Sequence, residues 1–75
     1  MSRSRAHELM AEAFGLPASD ITADMAISTT PQWDSIAHTR LILALEAEIG
    51  RQLGAEEIFA IATAADVGRV IQIRR

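Results

Sequence analysis

The sequence predicts an all-α fold, a small helical bundle forming one domain, and three observations predict it. Hydrophobic residues make up 49% of the chain, yet there are only two Phe, one Trp and no Tyr. The core must then be assembled from Ala, Ile, Leu and Val, which suits closely packed helices. Apolar residues recur at three- and four-residue spacing, the period of a helix with one buried face. Gly15 and Gly50 fall just past two such stretches, where a left-handed residue stops a helix.

The first helix is expected from Arg5 to Phe14, with Ala6, Leu9, Met10, Ala13 and Phe14 on its buried face, Gly15 as its stop and Pro17 behind. Residues 16–34 are rich in Pro, Ser, Thr and Asp, the composition of a long loop, with Leu16, Ile21, Met25 and Ile27 pinning it to the core. Such a loop has a function of its own, bridges the far ends of two parallel-running helices, or both. The second helix should run from Ser35 to about Ile49, free of Gly and Pro and rich in Ala, Leu and Glu. Residues Ala55 to Ala60 form one or two turns, with acids at the favourable N-terminal end. Thr63 followed by Asp66 reads as a cap that opens a last helix reaching about Ile73, with Val67, Val70 and Ile71 as its buried stripe.

The second helix carries two apolar faces. Rotation of roughly 100° per residue puts His38, Leu41, Ile42, Leu45 and Ile49 on a core stripe. Ile36, Leu43 and Ala47 fall together on the opposite side, with Arg40 among them. Either this second ridge is a docking surface rimmed by charge, or the neighbouring loops cover it.

Composition excludes several classes. With no cysteine there is no disulfide framework, thiolate metal site or Cys nucleophile, so any thiol must come from a cofactor. Residues 8–66 hold all ten acids but only Arg40 and Arg51, a balance of −8 that repels nucleic acid and attracts basic patches on proteins. Glu46, Glu48, Glu56 and Glu57 either answer such patches or serve solubility alone. No apolar stretch is long enough for a membrane span and no signal-peptide core follows Met1, so a soluble cytoplasmic protein is expected, with no membrane partner. His7 and His38 lack the spacing of a metal site, and Ser35 has no elbow or triad around it, so no metal and no catalytic residue are expected.

Asp34-Ser35 stands directly before the second helix, and by itself such a pair is an N-cap. The wider pattern adds to that reading. Pro31-Gln32-Trp33-Asp34-Ser35-Ile36, followed by Leu41-Ile42-Leu43-Ala44-Leu45-Glu46-Ala47-Glu48-Ile49-Gly50, resembles the acyl carrier protein family, whose attachment signature is Asp-Ser-Leu. The resemblance extends to Phe14-Gly15-Leu16, Asp20-Ile21-Thr22, Glu56-Glu57-Ile58 and Thr63-Ala64-Ala65-Asp66, almost the whole chain.

What the resemblance implies is a four-helix bundle of acyl-carrier type with a short third helix, a single carrier domain over residues 1–75 that is a monomer and not an enzyme. It implies that 4'-phosphopantetheine, transferred from coenzyme A by a phosphopantetheinyl transferase, is attached at Ser35, with Asp34 helping to hold that transferase's magnesium. An acyl or aminoacyl group would then be loaded by a ligase or acyltransferase, held as a thioester and delivered to acyl-processing or transferring enzymes. Ile36, Arg40, Leu43, Ala47, Glu56 and Glu57 are the expected partner contacts. Ile36 replaces the usual Leu, a conservative change. Carriers of fatty acid synthesis resemble one another in acids early in the second helix, where this chain has Ala37, His38 and Arg40, which points to a dedicated pathway instead. Gln32-Trp33-Asp34 also departs from the Gly-Gly-His or Gly-Gly-Asp of peptide-synthetase carriers. The alternative is a helical adaptor that docks a partner through Ile36 and Leu43, with Ser35 only a cap. Trp33 is read as a loop anchor, a partner contact, or both.

Overall fold

The computed structural model describes residues 5–72, and among them are four α-helices: α1 Arg5–Phe14, α2 Ser35–Ile49, α3 Ala55–Ala60 and α4 Ala64–Gln72. The expected end of the last helix at Ile73 lies outside the described residues. α1 buries Ala6, Leu9, Met10, Ala13 and Phe14, and also Ala11, which the spacing did not select. It ends as anticipated. Gly15 adopts a left-handed φ of 70°, and the Leu16 N–H donates to the Ala11 carbonyl at 3.0 Å, satisfying a terminal acceptor. Gly50 stops α2 in the same conformation, its N–H donating to the Glu46 carbonyl.

α1 and α2 run antiparallel. The start of α1 meets the end of α2 through Arg5 and Glu48 at 3.0 Å, and the end of α1 meets the start of α2 through the rings of Phe14 and Trp33, 5.1 Å between centroids. α4 packs on both. Met10, Leu41, Leu45 and Val67 are wholly buried where the three meet. Each such side chain contributes about 1.5–3 kcal/mol by leaving water, so this contact dominates the stability of the bundle.

The antiparallel arrangement corrects one explanation of the long loop, which does not join the far ends of parallel helices. It leaves and returns at the same end, making one 3₁₀ turn at Ala18–Asp20 and reaching the α3–α4 connection on the way. There Ala26 and Thr63 form an antiparallel bridge, with Ile27 N–H donating to the Ala62 carbonyl at 2.8 Å and Ala64 N–H to the Met25 carbonyl at 3.0 Å. Ile21 is buried, and Leu16 and Met25 pack against the core as anticipated. Ile27 does not: its side chain is exposed, because the backbone bonds of the bridge already fix the loop at this point.

α4 opens with a reciprocal cap. Thr63 Oγ1 accepts from the Asp66 N–H at 3.1 Å, while Asp66 Oδ2 accepts from the N–H groups of Thr63 at 3.0 Å and Ala62 at 2.9 Å. Val67 is buried, and Val70 and Ile71 pack partly buried beside it. α3 has no fully buried residue. It is held through its ends and through a bond from α2 described below.

Candidate functional site

The site is built outward from Trp33. The residue is only 2% exposed, its ring is packed on Phe14, and its backbone N–H closes a turn onto the Thr30 carbonyl at 2.9 Å. An indole N–H buried this deeply needs an acceptor, and His38 Nδ1 provides it at 3.0 Å. Because Nδ1 accepts, the proton of the neutral imidazole sits on Nε2, which donates to the Ile58 carbonyl of α3 at 3.2 Å. One imidazole therefore ties the segment before α2, the first turn of α2 and the end of α3 together. Trp33 is an anchor, as one reading of the sequence had it. His38 is partly buried, and its bonding to both neighbours is a role that spacing alone did not reveal.

With Trp33 fixed, Asp34 and Ser35 are placed. Asp34 is extended, at φ −93° and ψ −173°, and is the N-cap: its Oδ1 accepts from the Ala37 N–H at 2.8 Å, and its carbonyl accepts from the His38 N–H at 2.8 Å. Ser35 is thus the first helical residue and not the cap. It is exposed, its carbonyl accepts from Thr39 Oγ1 at 2.9 Å, and among the described residues nothing bonds to its Oγ. The N–H groups of Ser35 and Ile36 also find no acceptor among the described residues, as expected for the first turn of a helix. The result is a free hydroxyl beside unpaired donors at the positive end of a fifteen-residue helix. Phosphate esterified at this position gains electrostatic stabilisation.

Beyond Ser35 the outer face of α2 is apolar and uncovered. Ile36 is 64% and Leu43 60% exposed, and Arg40 and Ala47 are exposed as well, so the neighbouring loops do not cover the ridge. From Ile36 to Ala47 the ridge runs about 16 Å at the helical rise of ~1.5 Å per residue. Phe59, 85% exposed on α3, is a large apolar side chain that the sequence reading did not single out. The available signal was local: Ile58 and Phe59 are neighbours in a six-residue helix, so they lie about 100° apart and only one can face the bundle.

The acids divide differently from their sequence pattern. Glu46 Oε2 accepts from the Leu53 N–H at 2.8 Å and Glu48 pairs with Arg5. Glu57 takes both guanidinium nitrogens of Arg51, at 2.8 and 3.1 Å, and caps α3 through the Gly54 N–H at 2.9 Å. Its carboxyl is held well below the usual range, at about 2 against 4.5, first by the Arg51 hydrogen bonds and then by Gly54. The Glu56 carboxylate has no bonded partner among the described residues.

The family model described as the phosphopantetheine attachment site matches residues 4–71. The chain belongs to the phosphopantetheine-binding carrier family. A search of curated proteins finds no match. The protein is therefore a carrier whose cofactor is covalently bound 4'-phosphopantetheine, and carrier domains of this family are non-catalytic and act with a phosphopantetheinyl transferase and processing enzymes. The residues present fit that group, since a hydroxyl without structural employment stands at a helix start with spare N–H donors. Among the described residues there is no cluster of three or more side chains able to hold a metal, and no helix is long and apolar enough to cross a membrane.

Proposed function

We propose that Ser35 is the attachment residue, and that the carrier holds an acyl or aminoacyl group on its arm for delivery to the enzymes of a dedicated pathway. One observation carries this reading: the cap of α2 is supplied by Asp34, which leaves the Ser35 hydroxyl exposed and unbonded. The adaptor alternative gives Ser35 only a capping role, and Asp34 already fills that role. When attached, the arm supplies the thiol that this cysteine-free chain lacks, and the acyl group is held there as a thioester.

The chain's own residues orient and present. Asp34 uses only Oδ1 in the cap, so Oδ2 is open toward the transferase and its magnesium ion. Trp33 and His38 fix the segment from which Ser35 projects. Ile36, Arg40, Leu43 and Ala47 form the docking ridge, and Glu56, exposed on α3, is a further partner contact. The combination of Ala37, His38 and Arg40 early in α2 supports a dedicated pathway rather than general fatty acid synthesis. The carrier works as a cytoplasmic monomer.

The test is incubation of the purified chain with coenzyme A, magnesium and a broad-specificity phosphopantetheinyl transferase, followed by intact mass. Wild type gains one phosphopantetheine and Ser35→Ala gains none. An unmodified wild type, or a modified Ser35→Ala, overturns the assignment.

A further inference from the structure

The negative balance of the chain suggests a basic partner, but the arrangement of its charges does not. Of the acids on α2 and α3, Glu46 is bonded to the Leu53 N–H, Glu48 to Arg5, and Glu57 to Arg51 and Gly54, which leaves Glu56 alone open. Among the described arginines, Arg5 pairs with Glu8 and Glu48, Arg51 with Glu57, and Arg69 with Asp66. Arg40 is the exception. It is exposed, has no ion pair among the described residues, and sits between Ile36 and Leu43, 64% and 60% exposed, on the outer face of α2.

We propose that the partner enzyme meets α2 with an apolar groove holding an aspartate or glutamate, which takes the Arg40 guanidinium between the seats of Ile36 and Leu43. This rests on reading α2 as the docking helix of a carrier, and adds the sign of the charge that selects the partner. Closing a groove over Ile36 and Leu43 takes the guanidinium beside them out of water, and a desolvated cation without a counter-charge is costly. Among the described residues no acid reaches it, so the partner must provide one. A guanidinium suits the task, because its planar fork binds a carboxylate through two parallel bonds and its stem lies along apolar surface. A partner with a basic groove is rejected, since like charges brought together at an interface destabilise it strongly. Of the acids on α2 and α3, Glu48 and Glu57 are already paired within the chain, and the open one, Glu56, lies on α3 and not on this ridge.

The test places the photo-cross-linking residue p-benzoylphenylalanine at Ala47, one turn beyond Leu43, so that Ile36, Arg40 and Leu43 remain in place. The full chain is expressed and irradiated in its source cells, and the cross-linked peptide is sequenced. Its enzyme is then purified, and its affinity for wild type, Arg40→Lys and Arg40→Glu is measured. The expected peptide borders an apolar groove containing an acid. Arg40→Glu weakens binding about tenfold or more, Arg40→Lys weakens it less, and converting the partner's acid to Arg restores binding to Arg40→Glu. A groove lined by Lys or Arg, binding of Arg40→Glu within about twofold of wild type, a cross-link to a second copy of this chain, or no cross-link at all overturns the proposal. Intact mass of the same recovered protein reports phosphopantetheinylation separately, so loss of the docking proposal and loss of the carrier reading give different results.

Discussion

The imidazole of His38 should hold the start of α2 more strongly than its partial burial suggests. In His38→Ala the Trp33 indole N–H, inside a residue only 2% exposed, loses its acceptor at 3.0 Å. A buried donor left unsatisfied costs about 1–3 kcal/mol, and the released Ile58 carbonyl adds about 0.5–1.5 kcal/mol. The expected loss is about 2–4 kcal/mol, a large share of the ~4–11 kcal/mol typical of a chain this size. Urea denaturation followed by circular dichroism measures it, and thermal melting should show a fall of about 10–25 °C. Two further variants separate the hydrogen bond from the packing. His38→Gln keeps an acceptor and a donor and should recover about half of the loss. Trp33→Phe removes the N–H while leaving an aromatic ring against Phe14, so in that background His38→Ala no longer strands a buried donor and its cost should fall by about 1 kcal/mol or more. If His38→Ala lies within about 0.5 kcal/mol of wild type, or if its cost is the same with Phe at position 33, the imidazole is not the link described here.

Asp34→Ala should lose about 1 kcal/mol with the N-cap, whereas Asp34→Asn keeps the cap and the stability but slows phosphopantetheine transfer, as measured by unfolding and by intact mass over time. Gly68→Ala should stabilise α4 by about 0.5–1 kcal/mol, because a Cβ there meets nothing within 4 Å, and thermal melting would rise accordingly. The folded-state value of Glu57 lies below its ordinary 4.5, so the stability it adds is complete above about 4.5 and is lost as pH falls toward about 2. Arg51→Ala should return the Glu57 carboxyl, followed by carbon-detected NMR titration, toward its ordinary value and blunt that loss; the effect on stability is small because the pair is exposed and screened by salt. Ile36→Asp and Leu43→Asp should leave stability within about 0.5 kcal/mol, since both side chains are exposed, while weakening transfer to partner enzymes in acyl-delivery assays.

Sequence by itself determined the four helices, because each rests on local rules. Period placed Leu9, Met10, Leu41 and Leu45 inside, Gly15 and Gly50 ended their helices through left-handed backbone, and Thr63 with Asp66 capped the last one. The family pattern around Ser35 was equally legible, being a contiguous run of residues. Only the tertiary structure decided the relations between segments distant along the chain. That Asp34 and not Ser35 caps α2 depends on backbone angles, which composition does not fix. That Ile27 is exposed follows from a backbone bridge between residues 26 and 63, invisible to hydrophobic periodicity. The link from Trp33 through His38 to Ile58 and the pairing of Arg5 with Glu48 required three and two segments, respectively, to meet. Charge followed the same division: its total can be counted along the chain, but which charges remain open to a partner depends on which ones the fold brings within a few ångströms of each other.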